Sequence, residues 1–408
     1  MDKIIDVLIV GAGQSGAQVA MSLRRGGFDG SILIVGREPD APYERPPLSK
    51  DYFSGKKVPN QLLLRQPDFW KNNQIDLVLG SSIVSINADK HIAETDSGEL
   101  YNYGKLVWAT GGEARRLNIP GSDLNGIHVI RTRHQVDALK SELESAQTVA
   151  VIGGGYVGLE AAAVMNKMGK DVTIIEVEKR VLARVAAEPI SRFYEAEHRS
   201  QGVTILTGVG AREMKGHNGR VTSVVLDTGE HVAADIVIVG IGLVPSQQVL
   251  EAAGAKCANG VEVDAFCRTS LVNVFSSGDC ACHPNKFFGG NMVRLESVPN
   301  AVDQAKTIAS VILGVPEPYE TLPWFWSNQY DLKLQTAGLN HGYDSTVLRG
   351  DPASRSFSLV YFREGQVIAI DAINSVKDFI GGKKLVDKGI RPDLERIADP
   401  TVLLKSLC

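Results

Sequence analysis

The feature that most constrains this 408-residue chain is a glycine pattern that occurs twice. Residues 6–20 read as a short apolar strand ending at Val10, a tight turn, and a helix start. In the turn, Gly11 permits the sharp bend, Gly13 lets the backbone approach a pyrophosphate, and Gly16 lets the helix pack closely on the strand. Unpaired N–H groups and the helix dipole then favour negative charge at the helix start. The same spacing returns after the strand Thr148–Ile152, as Gly153, Gly155 and Gly158. Two copies, each in a strand–turn–helix context, predict an α/β chain with two dinucleotide sites.

Each nucleotide fold expects an acid at the end of its second strand, where it binds a ribose. In the second copy Asp171–Ile175 ends in Glu176, eighteen residues after Gly158. A carboxylate there accepts both ribose hydroxyls and repels a 2′-phosphate, by roughly 4 kcal/mol at about 4 Å and an effective dielectric near 20. The second site therefore reads as NAD(H); Glu178 reinforces this, and Lys179 and Arg180 soften it. In the first copy the strand Ser31–Val35 is followed by Gly36, Arg37 and Glu38. Glu38 is the ribose candidate, Arg37 a candidate for stacking on adenine or reaching a phosphate, and two solvated loop charges are an equal alternative.

The remaining chain supplies further markers. Three prolines in Pro42–Lys50 fix an extended path ending in the cation Lys50. Strand-like pieces follow at Ile75–Leu79, Ile83–Ile86 and Lys105–Ala109, the last closing in a small-residue turn through Gly111. Val274–Ser276 leads into a Gly278–Asp279 turn, and Gly240 and Gly242 close the second unit. Ser297 is a plausible cap for a helix with Pro299 in its first turn and Ala301, Val302, Ala305, Ile308, Ala309 and Ile312 on one face. Gly314–Pro318 reads as a linker, and the last part as a separate α+β module with turns at Gly338, Gly350 and Gly365. Alternation puts Trp324 and Trp326 on one face and Phe325 in the core. The predicted domains are an FAD-type unit (1–110 and 241–318), an NAD-type unit (111–240) and a C-terminal α+β domain (319–408).

Composition excludes several classes. A net charge of -4 gives no global attraction to nucleic acid or an anionic membrane. No apolar run reaches a membrane span. Five cysteines, all at or after Cys257, make no disulfide framework in a chain this long. The first residues enter a strand without a basic region or cleavage site, so the expectation is a protein without a leader, in a reducing cytoplasm. Cys280, Cys282 and His283 lack a fourth ligand of suitable spacing, and no metal site is expected.

Two nucleotide folds in one chain point to hydride transfer between a nicotinamide and a flavin. The motifs Gly11–Gly16, Pro46–Lys50, Ala109–Gly111, Gly153–Glu160, Gly278–Asp279, Ser297–Asn300 and Pro323–Asp331 resemble those of FAD-dependent pyridine-nucleotide oxidoreductases. Within that family the chain is similar to the NADH:ferredoxin reductases of bacterial oxygenase systems, the putidaredoxin reductase-like enzymes. The resemblance covers nearly the whole chain. It implies two doubly wound nucleotide-binding domains of the glutathione-reductase type plus the α+β domain. It also implies FAD and NADH as cofactors, and a two-iron two-sulfur ferredoxin as electron acceptor serving an oxygenase. Carried over by position, it implies FAD contacts at Lys50, Ile83, Arg131, Asp279 and Val298, and counts Ala109, Gly111, Gly242, Glu296, Ser297 and Trp326 among cofactor contacts. Lys50 is implied to pair with Glu160 beside the flavin, and Tyr156 to cover its nicotinamide face until NADH displaces it. Relatives commonly carry an acid where this chain has Arg37. Ferredoxin docking is expected near Arg294, Lys306 and Trp326. The fold also hosts disulfide reductases and peroxidases that use a cysteine beside the flavin, and no cysteine precedes Cys257. A monodehydroascorbate-reductase-like or apoptosis-inducing-factor-like enzyme needs no such cysteine and stays open, as does an NADH-responsive binding protein.

Overall fold

The structure, a computed structural model, describes residues 4–408. Met1–Lys3, on which part of the no-leader expectation rests, lie outside the described residues. The chain divides into two compact units, each assembled from three separated segments. Unit 1 holds the chain up to Glu44, Pro59–Glu113 and Val244–Phe325; unit 2 holds Arg45–Val58, Ala114–Leu243 and Trp326–Cys408.

Unit 1 is built on a mixed sheet. The strands Ile75–Leu79, Ile32–Gly36, Ile5–Val10 and Leu100–Trp108 lie side by side and parallel. Val7 and Ile9 point to the face covered by the helix Gln14–Arg25, and Leu8 and Val10 to the other face. Both faces are buried, which is why these strands read as unbroken apolar runs. Leu100–Trp108 is longer than the expected Lys105–Ala109. Its first half pairs antiparallel with Ile92–Thr95, and its second half takes Val274–Ser276 as a parallel neighbour. The helix Val298–Ile312 begins as expected, the Ser297 hydroxyl accepting from Asn300 N at 3.2 Å. Its Ala305, Ile308 and Ala309 share one core with Ala17, Ala20 and Leu23 of the first helix.

Unit 2 holds a second parallel sheet in the order Thr204–Thr207, Asp171–Glu176, Thr148–Ile152, Ile236–Val239, Ile127–His128. A C-terminal antiparallel sheet runs from Trp324–Gln329 through Leu332–Gly338, Gln366–Ile373 and Ser356–Arg363 to Ser345–Asp351. Gly350, expected in a turn, lies inside this last strand opposite Phe357 with φ +85°. The carbonyl of Ser356 lies 3.1 Å from where its Cβ would be, so the position needs glycine inside a ladder. Phe325, expected in the core, is half-buried, as are Trp324 and Trp326. Buried Arg349 pairs with Asp378 at 3.0 Å and donates to the carbonyls of Ile397, Asp399, Pro400 and Val402, tying the last segment to this sheet. No helix among the described residues is long and apolar enough to cross a membrane.

Candidate functional site

In a doubly wound sheet the ligand crevice opens where strand order reverses, at the carboxyl ends of the strands. In unit 1 that point follows Ile5–Val10, with Ile32–Gly36 on one side and Leu100–Trp108 on the other. A Cβ on Gly11 would stand 2.3 Å from the Ala109 carbonyl oxygen, and one on Gly16 only 2.0 Å from that of Gly11. Gly13 instead faces open space, and the helix it starts has no side-chain cap. The first and third glycines serve packing, while the second leaves room for phosphate beside uncapped N–H groups.

Two further elements meet this turn. Ser277 Oγ lies 2.7 Å from Ser15 Oγ, which in turn hydrogen-bonds the Ala301 carbonyl at 3.2 Å. Gly278 N donates to Gln304 Oε1 at 2.8 Å, fixing the bend at Asp279. Gln304 is held by His283 Nδ1 at 3.1 Å, and burial holds His283 down to about 4, hence neutral. The structure thus brings Gly11, Gly13, Gly16, Asp279 and the start of the Ser297 helix, with Val298, to one end of unit 1. Ile83 is buried in the opposite-face core, Gly111 takes φ +65°, and its carbonyl accepts from Ser246 N.

The adenosine-end charges have other engagements. Arg37 pairs with Glu113, and Glu38 accepts from Tyr43 Oη at 2.6 Å. Arg294, expected on a docking face, is instead turned inward with its side chain 9% exposed. Its guanidinium donates to the Asp279 carbonyl at 3.0 Å and pairs with Glu296 at 2.8 Å. The backbone carbonyl of the Gly–Asp turn captures it, so it stands as a support for that turn. Lys306 is exposed and pairs with Asp303 at 2.7 Å.

Unit 2 repeats the cradle. A Cβ on Gly153 would stand 2.4 Å from the Gly240 oxygen, and one on Gly158 2.1 Å from the Gly153 oxygen. Gly155 faces open space and starts a helix without a side-chain cap. Glu176 is locked to this turn: Gly154 N donates to its Oε2 at 2.6 Å and Glu178 N to its Oε1 at 2.8 Å. Each oxygen keeps lone pairs for a further donor. Both cradles therefore fit a dinucleotide. Gly242, with φ +104°, accepts from Arg115 N at 2.9 Å. Arg131 precedes the Thr132 capping box, and its carbonyl accepts from Arg45 at 2.7 Å.

The polar centre of unit 2 is Glu160, 3% exposed on a helix whose other buried residues are glycine, alanine, leucine and methionine. Lys50 Nζ pairs with its Oε2 at 2.5 Å. Sequence reasoning missed its other partners: Ser49 Oγ donates to Oε2 at 2.6 Å and Ser327 Oγ to Oε1 at 2.7 Å. Both serines sit inside quoted motifs, but nothing in one dimension joins residues 49, 160 and 327. Half-buried Tyr156 opens the same helix, and its hydroxyl turns toward Thr336, Asp371 and Tyr194; burial raises it well above the ordinary tyrosine range. Cys267 and Cys280 are fully buried, and burial raises Cys257 to about 11. Among the described residues no three His, Cys, Asp or Glu side chains gather as a metal site.

The family described as pyridine nucleotide-disulphide oxidoreductase matches residues 5–305, and the one described as reductase C-terminal matches residues 324–408. The chain is 49% identical over 403 residues, 98% of both chains, to the ferredoxin reductase subunit of a Sphingobium 5,5'-dehydrodivanillate O-demethylase. It is 37% identical to putidaredoxin reductase of Pseudomonas putida over 98% of this chain and 96% of that one. The crystal structure of a covalent putidaredoxin reductase–putidaredoxin complex superposes with a TM-score of 0.96 at 36% identity, covering 99% of this chain and 98% of that one.

Proposed function

Because the chain belongs to the pyridine nucleotide-disulphide oxidoreductase family, we propose that it is an NADH-dependent ferredoxin reductase of an oxygenase system. The observation that carries this reading is the Lys50–Glu160 ion pair at the polar centre of unit 2, in a chain with no cysteine before Cys257. A disulphide relay needs a thiolate, and this arrangement supplies a fixed cation instead. Bound FAD supplies the conversion of one hydride from NADH into two single electrons for a two-iron two-sulfur ferredoxin.

The chain's own residues bind and orient. The Gly11–Gly16 turn and the uncapped start of Gln14–Arg25 hold the FAD pyrophosphate, and Asp279 holds a ribitol hydroxyl. The N-terminus of Val298–Ile312 directs its positive end to the isoalloxazine edge. The Gly153–Gly158 turn holds the NADH pyrophosphate, and Glu176 takes the ribose hydroxyls. Lys50, held by Glu160, presents its ammonium to the flavin, and Tyr156 covers the nicotinamide face. Lys306 meets the acidic ferredoxin, Trp326 lines the flavin edge, and the enzyme works in the cytoplasm. On this reading the domains follow 1–110 with 241–318, 111–240, and 319–408.

The test is NADH oxidation by purified protein against ferredoxins, a disulphide, peroxide and monodehydroascorbate. The expected protein is yellow, with one FAD per chain, and reduces a two-iron ferredoxin fastest. Equal or faster use of any other acceptor, or colourless protein, overturns the reading.

A further inference from the structure

The motif Pro323–Asp331 contains more polar residues than the function above employs. Ser327, Gln329 and Tyr330 lie in one hydrogen-bonded row that begins at Glu160. Ser327 Oγ donates to Glu160 Oε1 at 2.7 Å, and Gln329 Nε2 donates to Ser327 Oγ at 3.3 Å. The amide's other end, Oε1, accepts from His198 Nε2 at 2.9 Å. His198 Nδ1 then lies 3.3 Å from Tyr330 Oη. His198 and Ser327 are 0% exposed, Gln329 1% and Glu160 3%.

The row has one polarity. A carbonyl oxygen only accepts, so His198 must carry its proton on Nε2, which leaves Nδ1 to accept from Tyr330. Each group then donates toward Glu160. Burial lowers His198 to about 4, so the imidazole stays neutral and the polarity holds across the working range. Two anchors fix the far end. Tyr330 sits at φ +56°, a strained conformation for a bulky residue, with its ring 5.0 Å from that of His198. Arg355 bridges Asp331 at 2.6 Å and Glu197, the neighbour of His198, at 2.8 Å. An interior filled with apolar side chains avoids the desolvation that these polar groups bear. A strained tyrosine and a directed row ending on the carboxylate that holds Lys50 indicate a task for them.

We propose that His198 is a positioning residue for the Lys50–Glu160 pair, acting through Gln329 and Ser327. Gln329 uses its single well-placed N–H to fix the Ser327 hydroxyl, and a fixed hydroxyl directs its proton to Oε1. With Oε1 held there and Oε2 taken by Ser49, the carboxylate has one orientation and Lys50 one reach. Without His198 the amide turns freely, Ser327 finds other acceptors, and the ammonium loses its aim. This inference rests on the reading that Lys50 lies at the flavin.

The test compares His198→Phe, which keeps the ring and removes both nitrogens, with His198→Gln, whose amide restores a donor near the Nε2 position. Gln329→Leu interrupts the row from the other side, and Lys50→Gln serves as the reference. The readouts are the limiting rate of flavin reduction at saturating NADH, the KM for NADH, and the flavin midpoint potential. His198→Phe and Gln329→Leu are expected to slow reduction about tenfold, the scale of one charge-assisted hydrogen bond. They should leave KM within about twofold and move the potential by about 30 mV, the two-electron equivalent of tenfold. His198→Gln should recover most of both effects. If Lys50→Gln moves rate and potential while the row variants move neither, the row is structural and the inference fails. Equal loss in His198→Phe and His198→Gln also overturns it. Should His198→Phe not fold, Gln329→Leu alone decides. If Lys50→Gln moves nothing, the reading of Lys50 falls first, and this inference with it.

Discussion

The two glycine turns share spacing, strained bends and an open second glycine, yet they treat the acid of their second strand differently. Glu176 is drawn into its own turn by Gly154 N and Glu178 N, which leaves each of its carboxylate oxygens a lone pair for a further donor. Glu38 is drawn away to the Tyr43 hydroxyl, and its neighbour Arg37 to Glu113. On the proposed reading, the glycines set where a pyrophosphate fits and the acid's hydrogen-bond partners set whether the site reads the ribose. Turns of the same spacing thus hold their second-strand acids in different places.

The strongest way to break the comparison is to add a methyl group to either turn. Gly16→Ala and Gly158→Ala place a carbon about 2 Å from a backbone oxygen, and each should cost roughly 3 kcal/mol or more. Gly16→Ala should purify without flavin. Gly158→Ala should keep flavin and lose its bleaching by NADH. Absorbance at the flavin band separates the two, and the reverse assignment would exchange the roles of the turns.

Acid should distinguish the units next. His283 of unit 1 and His198 of unit 2 both have pKa values lowered by burial to about 4. Their contribution is intact above about 6.5 and is lost as pH falls toward 4, by about 3 kcal/mol each at the limit. In unit 2, buried Asp371 is raised to about 6 and works in the opposite sense, gaining stability as it protonates. Hydrogen exchange at pH 7 and pH 5 should show protection falling around His283 more than around Asp371. Similar losses in both places would remove the contrast.

Selectivity is the third test. NADH should be preferred over NADPH by roughly tenfold to a hundredfold. Glu176→Ala should narrow that ratio chiefly through weaker use of NADH, whereas Glu38→Gln should change FAD retention less than about threefold. Equal kinetics with both nucleotides in the unaltered protein would refute the role of Glu176.

The smallest effect concerns the exposed Lys306. Lys306→Glu should slow ferredoxin reduction by about threefold to tenfold and flatten its salt dependence, with ferricyanide reduction unchanged. Parallel slowing of both acceptors would assign Lys306 to the fold.

Much of this was legible in sequence because nucleotide turns are local. Gly11–Gly16 and Gly153–Gly158 each lie within one strand–turn–helix unit and Glu176 ends the next strand, so spacing alone carries their geometry. Lys50 with Glu160 was legible only through resemblance. The residues that hold them were not, since His198, Gln329 and Ser49 meet through the tertiary fold. Arg294 misled because a charged residue reads as surface until a backbone carbonyl is found for it. Gly350 misled because glycine marks both turns and close approaches of backbone within sheets.

The clasp around Arg349 has a consequence for how the molecule is made. Its carbonyl acceptors lie between Ile397 and Val402, 48 to 53 residues further along the chain, so they leave the ribosome after it. Until they emerge, a guanidinium destined for the interior lacks most of its acceptors. Glu160 likewise waits for Ser327, although its own helix is translated far earlier. Unit 2 therefore closes only after Ile397–Val402 has been made, and a chain stalled or clipped before that segment carries unsatisfied charge in its interior, a mark by which cellular quality control can recognise incomplete copies.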